Sequence, residues 1–353
     1  MMQASLDGAL ARLCPLERVR AFADGNGAVA RDIWAGLAEL GLPGLLVDEA
    51  HGGLGLGLLD AALAAEILGR HVAPTPFLAS AVLAPLVIAA AGSPEQQDAW
   101  LPRFAAGAGL AAGAIGEAVA GAGGKAGVTA SGGRLTGVSA FVIDAAGAEV
   151  FIVADRAGGL HLVAADAPGL SATPLATIDR TRSLGELRLA DTPAEPLGER
   201  KNVGGALTRL RDAAWILLAA DMLGASGAML DQAVAYAKER RQFGRLIGSF
   251  QAVKHLCAEM AAALEPCRAL VWYAAHAFDA IPEEASLMAA HAKAHLSEVS
   301  RFVARTAVEV HGGVGFTDLQ GLHYWFKRVG LDRQLLGGPE RARQAAAAMQ
   351  GLA

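Results

Sequence analysis

The stretch RRQFGRLIGSFQ, residues 240–251, places three arginines between two amphipathic segments. A guanidinium offers a rigid fork of N–H donors that matches the paired oxygens of a phosphate. Gln251 opens the second amphipathic segment, and the amino end of a helix favours anions. The pattern therefore predicts an anion site, suited to a diphosphate, at a corner between two helices. The alternative is an arginine that caps the carboxyl end of its own helix.

A second candidate is the glycine pair Gly312-Gly313, which follows a long apolar helical segment. Paired glycines allow a backbone to come close to a ligand or to another chain. The alternative is an ordinary helix C-cap. The histidines form no HExxH pattern, so they are interpreted as structural or surface residues and no metal site is predicted.

Composition limits the classes of function. The 353 residues are 53% apolar and 18% charged, which predicts a folded protein of two or three units. A net charge of −5 gives no reason to expect a nucleic-acid partner. The cysteines are three in number and lack metal-binding spacing, which favours a reducing, cytoplasmic location. The longest apolar run, residues 77–92, is flanked by prolines and predicts a buried helix, so no membrane partner is expected.

The periodicity of apolar residues changes twice along the chain. Residues 1–109 are helical in pattern, and residues 110–201 are short β-like runs separated by glycine-containing turns. Long helical patterns return over 202–353, with helices predicted at 204–241, 250–279, 283–311, 319–334 and from 338. The order is therefore a helical domain, a β domain and a helical bundle.

Three motifs stand in a fixed order within this architecture. They are LAELGLPGLLVDEAHGGLGLG with AAEILGRHVAPTP, then AYAKERRQFGRLIGSFQAVKHLCAEM, then VEVHGGVGFTD. Together they resemble the acyl-CoA dehydrogenase family over nearly the whole chain. The short chain and LHYWFKRV are most similar to short bacterial subunits, some of which work only as heteromers. The resemblance implies an α+β fold with an N-terminal helical domain, a middle antiparallel β domain and a C-terminal four-helix bundle.

The resemblance also implies that the chain binds FAD. It assigns the diphosphate and adenosine end to the cationic corner, at Arg240, Gln242, Phe243 and Gln251. A neighbouring subunit's FAD would contact the segment Glu309, Val310, His311, Gly312 and Gly313, which implies at least a dimer. Glu309 stands where the family usually has Gln, and a carboxylate beside a diphosphate repels it.

In the family the flavin ring rests on the β domain. The sequence keeps Glu117 of a Thr-Glu-Pro pattern and places Phe141 at the aromatic position of the flavin-binding strand. Ile143 stands where a hydroxyl would bond the reactive nitrogen, so stabilisation of reduced flavin should be weaker. The alternative for this strand is an ordinary β core.

The expected reaction removes an α-proton to a carboxylate and a β-hydride to FAD. Both positions where the family carries its glutamate are apolar here, at Leu336 and Ala214. Asp212 and Glu340 are the remaining candidates, although a surface or helix-N-terminal role fits both better.

The sequence therefore predicts an FAD-dependent acyl-CoA dehydrogenase-type subunit of fatty-acid or sterol side-chain degradation. It would form a trans-2-enoyl-CoA from an acyl-CoA substrate and pass electrons to an electron-transfer flavoprotein. The expected assembly is a homodimer, a homotetramer, or a heterotetramer with a related chain that supplies the glutamate. Two alternatives stay open: an inactive scaffold or ligand-binding subunit, and other flavin chemistry such as an oxidase.

Overall fold

The structure is a computed structural model that describes residues 2–25, 29–121, 127–198 and 203–352. It begins with six helices: α1 (Met2–Leu13), α2 (Leu16–Asp24), α3 (Arg31–Ala38), α4 (Leu58–Arg70), α5 (Ala84–Ala91) and α6 (Pro94–Ala105). A buried π-helical segment, Phe77–Leu83, leads into α5. The apolar run at 77–92 is thus largely buried inside the protein, as its sequence predicts.

The middle of the chain forms one sheet. Its strands are β1 (Ala111–Ala114), β2 (Gly127–Ser131), β3 (Arg134–Ile143), β4 (Val150–Ala154), β5 (Leu160–Ala164), β6 (Leu170–Pro174), β7 (Leu184–Pro193) and β8 (Glu195–Leu197). They lie in the order β6-β7-β3-β1-β4-β5-β8, with β2 beside β3. The described strands pair antiparallel except β1 and β4, which are parallel, so the antiparallel prediction holds for all pairs but that one.

Helices return as α7 (Val203–Glu239), α8 (Gln251–Ala280), α9 (Pro282–His311), α10 (Leu322–Gln334) and α11 (Pro339–Met349). The predicted bounds of these helices are met within three residues. Between α7 and α8 lies a small hairpin, β9 (Arg241–Gln242) and β10 (Arg245–Leu246), which the sequence pattern did not predict. The predicted α+β fold is confirmed.

Helix α7 is the central helix of the core. The helical stretch 205–239 is long and apolar enough to cross a membrane, but 89% of its most apolar 18 residues are buried inside the protein. A helix that is apolar on all sides is typical of the middle of a large core. The main core unites the two helical sections with one face of the sheet, and a second, smaller core covers the opposite face.

Buried ion pairs tie the sheet to the helices. Arg182, in the loop before β7, pairs with Asp221 of α7 at 2.9 Å and with Asp332 of α10 at 2.8 Å. Arg328 of α10 pairs with Asp179 at 2.8 Å. Charges removed from water are tolerated only when they are paired. These pairs therefore fix the orientation of α10 on the sheet.

Asp144, just after β3, is buried without an ion pair at contact distance among the described residues and accepts the backbone N–H of Ala79 at 2.9 Å. Burial raises its pKa to about 6, against the opposing effects of the Ala79 bond and of Arg182 and Arg328. Between about pH 4 and 6 the folded protein holds a proton that the unfolded chain has released. The free energy of unfolding therefore falls as the pH rises from about 4 to about 6, where Asp144 ionises in the folded protein.

Asp144→Asn should therefore raise the free energy of unfolding at pH 8 by up to about 3 kcal/mol, since each pKa unit corresponds to about 1.4 kcal/mol. Below pH 4 the variant and the wild type should agree. Urea titrations at pH 4, 6 and 8 measure the difference, with exposed Asp166→Asn as the control for loss of one charge. A difference that stays constant across this pH range would contradict the assignment.

Candidate functional site

A cavity of about 550 Å³ lies where the sheet meets the end of α10. One wall is the turn that follows β1, with Gly116, Glu117, Ala120 and Gly121, together with Ala140 and Phe141 of β3. The other wall is formed by Leu331 and residues 334–338. The cavity thus brings together Phe141 and Leu336, which the sequence assigns to the flavin contact and to the usual position of the base.

Phe141 is exposed to this cavity by a local distortion of β3. Its side chain is 58% exposed and its φ is +52°, a backbone conformation that is rare for a bulky residue. Strand β3 has a bulge between Ser139 and Val142, and bulges redirect side chains. An exposed aromatic ring in a largely apolar cavity suits a planar ring such as a flavin.

The wall that carries Leu336 is held by buried donors. The carbonyl of Leu336 accepts a hydrogen bond from the indole N–H of Trp215 at 3.0 Å. The backbone φ of Leu336 is +56°. Lys293 of α9 is fully buried and donates to the carbonyls of Asp332 and Arg333, in the last turn of α10. Burial lowers the pKa of Lys293 to about 7. These contacts join residues far apart in the chain, and no local signal in the sequence predicts them.

The structure separates the candidate acids from this cavity. Asp212 is 3% exposed and accepts bonds from Arg211, at 2.7 Å, and from Ser286, so the expectation of a surface acid is wrong for it. Burial raises the pKa of Asp212. Glu340 is an exposed residue in the first turn of α11, as predicted, and lies 3.6 Å from Arg333. Neither lines the cavity.

The two other residues predicted from the family's pattern do not line it either. Ala214 is buried in the core on α7 and carries no titratable group. Ile143 does not reach solvent or the cavity. It is buried in the main core, opposite Gly113 of β1. This burial agrees with the alternative of an ordinary β core at this position, and a contact between Ile143 and a flavin stays a prediction.

The cationic corner lies on the surface between α7 and α8. The backbone N–H of Arg240 donates to the Tyr236 carbonyl at 2.9 Å, and its carbonyl accepts from Ile247 at 2.8 Å. These bonds fix the main chain and leave the guanidinium exposed. Gln251 is the exposed first residue of α8, so an anion here would meet the amino end of that helix.

The aromatic residues of the corner are arranged around a second arginine. Phe243 is 92% exposed at a φ of +52°, and its ring meets that of Phe250 edge-on at 6.2 Å. The Arg245 guanidinium lies 3.9 Å over the Phe250 ring. Gln242 is exposed in the hairpin strand β9. Among the described residues Arg240 has no ion-pair partner, and it is therefore available to an anion.

The glycine pair also faces outward. Gly312 has a φ of +63°, and a Cβ added at Gly312 or Gly313 would meet nothing of this chain within 4 Å. Glu309 is exposed, whereas Val310 is buried. The surface thus has open backbone that packing within the chain does not require, which suits close approach of another molecule.

His311 is a buried, structural histidine, which agrees with the interpretation of the histidines as structural or surface residues. Its Nδ1 donates to the Ala307 carbonyl at 2.7 Å, and its ring stacks on Tyr236 at 4.6 Å. Burial lowers the pKa of His311, because the charged ring is disfavoured away from water. The described part of the chain contains no group of residues able to hold a metal ion.

These surfaces fit the parts of a flavin dinucleotide. The exposed Arg240 fork at the end of α7 suits a diphosphate, and the largely apolar cavity beside Phe141 suits a flavin ring. No residue of the corner lines the cavity.

Family models and similar proteins agree with this architecture. The acyl-CoA dehydrogenase N-terminal domain matches residues 11–108, and the acyl-CoA dehydrogenase C-terminal domain matches residues 207–350. The chain belongs to the acyl-CoA dehydrogenase family, whose members are flavoprotein oxidoreductases. It is 33% identical to acyl-CoA dehydrogenase IpdE2 of Mycolicibacterium smegmatis, over 92% of this chain and 89% of the relative.

Two solved structures are similar over nearly the full chain. The steroid ACAD Tcur3481-Tcur3483 has a TM-score of 0.89 and 32% identity, covering 99% of this chain and 96% of that one. The ChsE4-ChsE5 complex from Mycobacterium tuberculosis has a TM-score of 0.89 and 27% identity, covering 100% and 96%. The resemblance seen in the sequence motifs is thus confirmed.

Proposed function

We propose that this chain is an FAD-dependent subunit that oxidises an acyl-CoA thioester to the trans-2-enoyl-CoA and delivers electrons to an electron-transfer flavoprotein. The observation that supports this most directly is the cavity that joins Phe141 to Leu336. Arg240 and Gln251 would hold the FAD diphosphate, Gln242 and Phe243 would lie beside its adenosine end, and Phe141 would contact the flavin ring. FAD would supply the hydride acceptor.

The cavity lacks the acid that the reaction needs at the usual position. Leu336 is 5% exposed and has no group that can accept a proton. Asp212 and Glu340 are engaged with arginines outside the cavity. We therefore propose that a related chain supplies the catalytic glutamate in a heteromer. The heteromeric ChsE4-ChsE5 complex among the similar structures supports this assembly.

The substrate class we propose is a fatty or steroid-derived acyl-CoA, because a steroid ACAD and IpdE2 are among the similar proteins. A cytoplasmic location is consistent with three free cysteines, two of which are buried. The test is anaerobic mixing of the flavin-loaded protein, alone and with the related chain, with aliphatic and steroid acyl-CoAs. Bleaching of the flavin band only when both chains are present is the expected result.

An inactive scaffold is the second candidate, since Leu336 and Ala214 remove both familiar positions for the base. The colour of the purified protein separates the two functions, because a scaffold without FAD lacks visible absorption. A protein that takes up no FAD, with or without the related chain, contradicts the first proposal.

The segment 309–313 leads to a prediction about assembly. We expect the protein to sediment as a dimer or larger oligomer, because this surface is open in the single chain and is assigned to a neighbour's cofactor. Gly313→Arg should weaken assembly and FAD retention together. Gly205→Arg is the matched control, since a Cβ at Gly205 also meets nothing within 4 Å. A stable, flavin-loaded monomer in analytical ultracentrifugation would contradict this prediction.

A further inference from the structure

The bulge in β3 sets the direction of Phe141. Ser139 lies opposite Leu187 of β7, whereas Val142 lies opposite Gly185. Three steps along β3 therefore face two steps along β7, and one residue is left out of the ladder. The extra residue bends the strand and turns the Phe141 ring into the cavity.

A carboxylate from the facing turn holds this bulge. Glu117 accepts a hydrogen bond from the Ser139 hydroxyl at 2.6 Å and another from the backbone N–H of Ala140. Ser139 is 1% exposed, so the contact is shielded from water. Hydrogen bonds to an ionised acceptor are roughly twice as strong as those between neutral groups. Glu117 thus binds the two residues that directly precede Phe141.

The conformation that results is strained. A bulky residue at positive φ persists only when its surroundings enforce it, and such strain clusters at ligand sites. Here the bonds to Glu117 come from 22 and 23 residues further along the chain and end at the cavity. A strand that served only the core would gain nothing from exposing 58% of an aromatic side chain.

We propose that Glu117 is a positioning residue, which fixes the bulge at Ser139 and Ala140 and thereby holds the Phe141 ring against a planar aromatic ligand. The ligand follows from the proposed function, on which this inference rests: it is the ring system of FAD. Glu117 also lines the cavity, but both of its carboxylate oxygens already accept hydrogen bonds, which suits holding the strand better than removing a substrate proton.

The test compares Glu117→Ala with Glu117→Gln. Gln keeps one oxygen for the Ala140 N–H, and its amide can donate to Ser139, so it preserves the contact. The Glu117→Ala variant should raise the hydrogen-exchange rate of the Ala140 amide at least about tenfold. It should also weaken FAD binding by about 10- to 100-fold, the range for lost hydrogen bonds to a charged group. Gln should change both by less than about threefold. Glu149→Ala, which removes an ion pair to Arg103 outside the cavity, is the control.

Phe141→Leu, made alone and together with Glu117→Ala, shows whether Glu117 acts through Phe141. If it does, Glu117→Ala will weaken FAD binding and broaden the visible flavin absorption bands only in the protein that keeps Phe141. Additive losses in the double variant overturn the inference. So does unchanged Ala140 exchange in Glu117→Ala. Turnover abolished by Glu117→Gln, with FAD affinity intact, identifies a base instead and also overturns it.

Failure of the proposed function gives a different result. If the wild-type chain and its assembly take up no FAD, the proposed function fails and the flavin role of Phe141 fails with it. If the wild type binds FAD and Glu117→Ala has the same exchange, affinity and spectrum, only the role of Glu117 is overturned.

Discussion

Leu336→Glu is expected to raise acyl-CoA dehydrogenase turnover of the purified chain, per bound flavin, by about 10²–10⁴-fold, the usual contribution of a general base. Leu and Glu are close in size, and both carry the Cβ that the wall already accommodates at a φ of +56°. The position is 5% exposed, so a carboxylate there would be desolvated and its pKa raised. Turnover should therefore increase with pH as this acid ionises.

The matched control is Leu336→Gln, which has the shape of Glu but no carboxylate to accept the proton. Asp212→Asn and Glu340→Gln should leave the low turnover of the chain unchanged, because neither side chain lines the cavity. The assay follows reduction of an artificial electron acceptor with a panel of acyl-CoAs. Robust turnover by the wild-type chain alone, abolished by Asp212→Asn or Glu340→Gln, would overturn this prediction and identify the base.

The long helices and the strands were predictable because their signals are local. Apolar periodicity predicts the bounds of α8 and α9 to within one residue at each end. The exposed cationic corner was also predictable, since the arginines and Gln251 are close in sequence. The small hairpin was not, because it is built from two-residue strands with little apolar pattern.

The geometry of the cavity depends on contacts that the sequence does not show. Trp215 and Lys293 reach the Leu336 wall from helices about 120 and 40 residues away in the chain. The sequence retained Glu117 as a family residue but gave no reason to connect it with Ser139. Asp212 looked like a surface acid because its hydrogen-bond partner Ser286 lies on another helix, α9. Pairings of this kind arise only when the helices have packed.

The diphosphate contact predicts the second large effect. Arg240→Ala should weaken FAD binding by roughly 2–4 kcal/mol, about 30- to 1,000-fold, which is the range for losing one partner of a charge pair that ligand binding removes from water. The guanidinium is exposed in the single chain and has no ion-pair partner among the described residues, so its loss should leave folding intact. Arg240→Lys should fall between wild type and Ala, because it keeps the charge and loses the fork of donors.

Arg241→Ala is the matched control, since it removes the same charge one residue away in the exposed hairpin. Apo-protein, assembled with the related chain if retention of FAD requires it, is titrated with FAD and followed by flavin fluorescence. Raising the salt concentration should reduce the wild-type affinity more than that of Arg240→Ala, because screening weakens the contact that only the wild type has. Equal affinities of Arg240→Ala and wild type would show that Arg240 does not hold the diphosphate. An equal loss of affinity in Arg241→Ala would show that nonspecific charge, rather than Arg240, attracts it.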